Sequence, residues 1–129
     1  MILLDENITE DQRALLRSWR VRVSQVGREV ERKGIDDEAI IPLLLQLRRP
    51  TWFTRDMGFY DRRLAHPSYC LVCLHVEVHE VASVARRFLR HHSFNTQAKR
   101  MGRVVRVGHV GIRVWRLHST NEETVRWKP

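Results

Sequence analysis

The chain has 129 residues, with 23 Lys and Arg against 15 Asp and Glu, giving a net charge of +8 and a pI near 10.7. A chain of this length buries roughly two-thirds of the surface it exposes when unfolded, so one domain needs no disulfide or structural metal to hold it. No apolar run approaches the ~18 residues of a membrane span. The amino terminus has no basic lead or long apolar core, so the expectation is a cytoplasmic protein without a signal peptide or membrane contact. The excess of positive charge points to a polyanionic partner, nucleic acid first and an acidic protein second.

In chain order, Ile2–Leu4 is predicted to be a strand that stops at Asp5. Thr9 and Gln12 have the spacing of a capping box. They open a helix to about residue 19 that carries Leu15, Leu16 and Trp19 on one stripe. Val21, Val23 and Val26 alternate with polar residues and predict a second strand, followed by a charged loop over 27–34. Asp36 and Asp37 suit a helix start, with Glu38 in the first turn. Ile40, Ile41, Leu43, Leu44 and Leu47 make that helix apolar almost all round. Pro42 inside it predicts either a bend or a single turn with a new helix starting at the proline.

Thr51–Thr54 is the third predicted strand, and 56–64 a short helix or turn. Tyr69–Val76 reads as the most buried strand, and His79 to about His92 as the clearest amphipathic helix. Val104–Val107 and Ile112–Leu117 predict two strands joined near Gly108 and Gly111, and 119–129 is a tail with no assigned element. Strand and helix alternate, which predicts one α/β domain over 1–129. Its sheet is mostly parallel, with helices on both faces and a closing strand pair at the carboxyl end.

Two of these strands end in acids, Asp5 and Asp56. Ligands of open parallel sheets bind beyond the carboxyl ends of the strands. Carboxylates gathered there repel unless a cation or a proton offsets them, which makes Mg2+ or Mn2+ the expected cofactor. Asn7 and Thr54 are candidates for orienting those carboxylates from behind. Arg55 either neutralises a phosphate or pairs with a neighbouring acid. Arg62, Arg63, Arg86 and Arg87 are candidates for phosphate contacts with nucleic acid. Cys70 and Cys73 lie in an apolar run and read as buried thiols rather than a zinc or redox pair.

The segments ILLDEN, DDEAI and TRDMGF, in this order and spacing, resemble the PIN-like domains, relatives of VapC-type toxins, over about residues 1–110. The resemblance implies a metal-dependent endoribonuclease, the toxin half of a toxin–antitoxin pair. It also implies RNA as substrate, a small acidic antitoxin as partner and a homodimer. Asp5 matches the family's first acid and Asp56 its third. Asp37 or Glu38 matches the helix-borne acid, with Glu38 preferred because Asp37 has a competing role as a cap. A further Asp of the family is Gly58 here, and Asp61 is a candidate to replace it. The alternative is a PIN-like module that binds nucleic acid or protein without cleaving.

Overall fold

The computed structural model describes residues 1–128, so Pro129 at the end of the predicted tail lies outside the described residues. Seven strands form one sheet: β1 (Ile2–Leu4), β2 (Ser24–Gln25), β3 (Thr51–Thr54), β4 (Cys70–Leu74), β5 (Arg103–Val107), β6 (Ile112–Arg116) and β7 (Glu123–Val125). Their order is β2-β1-β3-β4-β5-β6-β7. The first five are parallel, and β6 and β7 join antiparallel. The expected mostly parallel α/β sheet is present, and the hairpin between Gly108 and Gly111 closes as predicted.

Four helices pack on the sheet: α1 (Glu10–Ser18), α2 (Ile40–Gln46), α3 (Val81–Arg90) and α4 (Gln97–Arg100). Side chains alternate between faces along a strand, so β3 sends Phe53 to one core and Trp52 to the other. Phe53 meets Leu16 of α1 and Ala85 and Phe88 of α3 in the first core. Trp52 meets Ile40, Leu43 and Leu44 of α2 and Phe59 in the second. Cys70 and Cys73 fall in different cores, free and buried. Burial pushes both thiols up to about 12, as expected of small hydrophobes rather than ligands.

The connections β1–β2, β2–β3 and β3–β4 wind with one hand. The first crosses the α1 face, and the next two cross the α2 face while stepping back across the sheet. The β4–β5 connection steps the same way as β3–β4 but carries α3 over the α1 face, so its hand is reversed. Such crossovers are almost always right-handed, and in this chain the β4–β5 connection differs in hand from the other three.

Several local expectations change. Thr9 precedes α1 but its side chain caps nothing. Gln12 is buried, and its Oε1 accepts from Ala82 N at 2.8 Å, tying α1 to α3 instead of closing a capping box. Leu15 is 40% exposed, so the α1 stripe rests on Leu16. The second strand shrinks to Ser24–Gln25 because the chain curls into a turn at Gly27, whose φ is 89°. A side chain there would meet Lys33 Cγ at 2.9 Å, so glycine is required. Pro42 is the third residue of α2, where its missing amide would find no partner anyway, and the helix needs no bend. A separate 3-10 turn, Asp37–Ala39, precedes it. The tail supplies edge strand β7, and Trp127 Nε1 donates to Gly108 O at 2.8 Å.

Phe88 is fully buried, edge-on to Phe53 at 5.9 Å and stacked on Phe94 at 4.6 Å. Phe88→Ala is expected to cost about 3–5 kcal/mol. Urea unfolding followed by circular dichroism measures this, and a cost below ~1 kcal/mol would contradict the packing described.

Candidate functional site

In β1 and β3, Ile2 lies against Thr51, Leu3 against Trp52 and Leu4 against Phe53. Asp5 and Asp56 therefore leave the same edge of the sheet from neighbouring strands. Chain connections depart from these two strands in opposite directions, and ligands of open α/β sheets bind at such a switch point. Asp5 N donates to Phe53 O at 2.9 Å, which extends the pairing up to the acid itself.

Thr54 links the two acids. Its buried hydroxyl donates to Asp5 Oδ2 at 2.6 Å and accepts from Asp56 N at 3.0 Å. Asp5 Oδ1 accepts from Asn7 N at 3.1 Å, and Asp56 Oδ1 from Gly58 N at 2.8 Å. Asn7 thus orients Asp5 through its backbone, whereas Thr54 does so through its side chain. Gln25, which nothing in the sequence singles out, donates from Nε2 to Asp5 O at 3.0 Å and Ile8 O at 2.8 Å, holding the loop. Asp5, Asn7, Ile8, Arg55 and Asp56 line a cleft of about 130 Å3.

Asp37 comes to these acids from the turn before α2. Its carboxyl is held above the usual range by partial desolvation, then by the charges of Asp56, Asp5 and Asp36 and by hydrogen bonding with Asp56. The capping position of that turn belongs to Asp36, so the competing role expected for Asp37 is absent. Glu38, which the sequence favours as the helix-borne acid, and Asp37 are both exposed and neither lines the cleft; it is on Asp37 that the charges of Asp56 and Asp5 act.

Asp61 does not line the cleft either. It accepts from Arg63 N at 2.9 Å and pairs with Arg63 Nη2 at 2.7 Å, contacts that hold its carboxyl below the ordinary range. Its own turn consumes it, and Arg63 with it. Arg55 lines the cleft, donates from Nε to Val76 O at 3.0 Å, and forms no ion pair among the described residues. The remaining arginines scatter. Arg62 lies over Trp115 at 5.5 Å, Arg86 over Trp19 at 4.8 Å and Arg87 over Trp127 at 4.2 Å. Arg86 and Arg87 belong to α3, away from the turn that carries Arg62.

Among the described residues, no three His, Cys, Asp or Glu side chains are close enough to form a ready-made metal cage. A magnesium-like ion asks for less: one or two carboxylates, several retained waters and phosphate oxygens. The donor set at the cleft is all hard oxygen, and Asp5, Asp37 and Asp56 are in no ion pair among the described residues. That set fits a hard cation by donor type and by uncompensated charge.

Asp37 ionises less readily in the folded chain than in the unfolded one, so its charge opposes folding above its folded pKa. That penalty is absent below the ordinary Asp value of ~3.9. Asp37→Asn is expected to raise the melting temperature at pH 7, with the gain vanishing as the pH falls through that range. A scan of melting temperature against pH checks this, and a gain equal at pH 7 and pH 3 would contradict the repulsion. A scan of protein-family models and searches of curated proteins and of solved structures found no match to this chain.

Proposed function

We propose that the chain is a metal-dependent ribonuclease that hydrolyses RNA phosphodiester bonds at the Asp5–Asp56 cleft. One observation carries the reading. In a protein of net charge +8, the carboxylates of Asp5 and Asp56 stand together at the switch point of the sheet, close enough to Asp37 for their charges to act on it, and no basic side chain among the described residues forms an ion pair with them. Isolated like charges cost stability, and a site for Mg2+ or Mn2+ gives that cost a purpose. The resemblance of ILLDEN and TRDMGF to PIN-like domains supports the same chemistry.

Asp5 and Asp56 would hold the ion, with Asp37 turned to it from the third segment. When bound, the ion lowers the pKa of a water and offsets charge on the phosphoryl group. Thr54 keeps Asp5 and the Asp56 backbone at a fixed separation. Arg55, anchored through Nε alone, leaves its terminal nitrogens to meet a phosphate at the cleft. The role of toxin, an acidic antitoxin as partner and a homodimeric state follow from the resemblance and from no feature of the cleft.

A second reading, a module that binds without cleaving, is favoured by Gly58. It stands where the resemblance expects an acid, and its amide occupies Asp56 Oδ1. A carbon added there would approach that oxygen to 3.0 Å.

The test incubates single-stranded RNA with the parent, Asp5→Asn and Asp56→Asn in Mn2+ or in chelator. The parent is expected to cut only with metal, and both variants to lose cutting. Binding with no cutting under any condition would leave the second reading. Thr54→Val removes an orienting hydroxyl and is expected to cost about 10–100-fold in metal affinity or rate. Thr54→Ser, which keeps the hydroxyl, is expected to recover most of it.

A further inference from the structure

A second concavity, of about 480 Å3, opens on the same edge of the sheet, beyond the carboxyl ends of β4 and β5. His75, Arg106, Arg113, Thr124 and Arg126 line it, with His109 on the hairpin, and no Asp or Glu does. Alternation along the strands sets Arg106 with Val104 and Arg113 with Trp115, on the α2 face of the sheet. Register places Cys73, Arg106, Arg113 and Thr124 in one row across β4, β5, β6 and β7.

Arg106 and Arg113 are directly opposite each other in that row. Like charges in this position weaken a sheet, so packing alone gives no reason for the pair. Arg113 is partly offset by Glu122 at 3.1 Å, which also accepts from Tyr60 Oη at 2.5 Å. Arg106 has no acidic partner among the described residues and points Nη2 at His75 Nδ1, 3.4 Å away. His109 turns aside to Glu80 at 3.0 Å. Three arginines thus line one groove, and one carboxylate, that of Glu122, is paired with them.

We propose that this groove binds the sugar–phosphate backbone of single-stranded RNA. The choice of RNA rests on the nuclease reading of the neighbouring cleft. Guanidinium forks match phosphate oxygens two at a time. The groove and the acid cleft are next to each other: Arg55 lines the cleft and bonds to Val76 O, and His75, one residue before, lines the groove. Three strand spacings separate the β1–β3 and β5–β6 gaps, about 14 Å at ~4.8 Å each. A strand held by Arg106, Arg113 and Arg126 can therefore reach the carboxylates. Arg62, stacked on Trp115 of the same face, flanks its course.

The test measures fluorescence anisotropy of a labelled oligouridylate in chelator, where no cutting is expected. It compares the parent with Arg106→Gln/Arg113→Gln/Arg126→Gln. A control, Arg17→Gln/Arg20→Gln/Arg22→Gln, removes the same charge where β2 begins, at the opposite edge. The groove variant is expected to bind about tenfold more weakly or worse. Its plot of log affinity against log salt should flatten by about 2, at ~0.7 for each phosphate no longer neutralised. The control should change little, and Arg106→Gln alone, which breaks no ion pair, should give an intermediate loss. Equal losses in both triple variants, or none in the groove variant, would overturn the proposal. Tighter binding of polyglutamate than of RNA at the same arginines would overturn it in favour of an acidic protein. Absence of cutting by a parent that still binds through the groove would sink the nuclease reading alone.

Discussion

A single buried hydroxyl carries much of what the carboxyl edge of this sheet can do. Thr54 ends β3 inside the protein, donates its one proton to Asp5 on β1, and accepts from the backbone of Asp56. A hydroxyl can do both because it has one donor and two acceptor lone pairs. The parallel register of β1 and β3 brings the two strand ends together, and Thr54 converts that nearness into a fixed relation between two carboxylates. Gln25 then pins the far side of the Asp5 loop from β2, so three adjacent strands each hold part of the cleft.

Charge is distributed unevenly along this edge. Asp5 and Asp56, in no ion pair among the described residues, stand at the β1–β3 switch point, while Arg106, Arg113 and Arg126 line the groove where the antiparallel strands extend the sheet. Elsewhere some charges are paired locally. Arg13 pairs with Glu29 at 2.8 Å, Arg28 with Glu10 at 2.6 Å, Arg63 with Asp61 and Arg116 with Glu123. Surface pairs of this kind are worth little individually. On the proposed reading, a phosphodiester would meet the groove arginines and a bound cation the carboxylates.

The arginine–tryptophan stacks show why counting basic residues misjudges a surface. Arg86 and Arg87 lie against Trp19 and Trp127 on the α1 face, and Arg62 against Trp115 on the other. Such stacks cover apolar rings with the stem and plane of the guanidinium. Arg86 and Arg87 of α3 thereby help attach α1 and the tail.

Much of the fold was legible locally. Short apolar runs separated by amphipathic stretches dictate strands and crossovers, and so an α/β sheet. The runs ending at Asp5 and Asp56 identify which strand ends carry charge, and the burial of Cys70 and Cys73 follows from an unbroken apolar strand. Tertiary structure alone decided that the charges of Asp5 and Asp56 act on Asp37, that Asp61 is spent on Arg63, and that Gln12 and Gln25 serve distant backbone. It also decided that the unassigned tail becomes an edge strand and completes the basic groove. Periodicity and turn chemistry report neighbours along the chain. Which member of an adjacent pair reaches a site depends on helical phase and strand register, and those are set by packing between segments far apart in sequence.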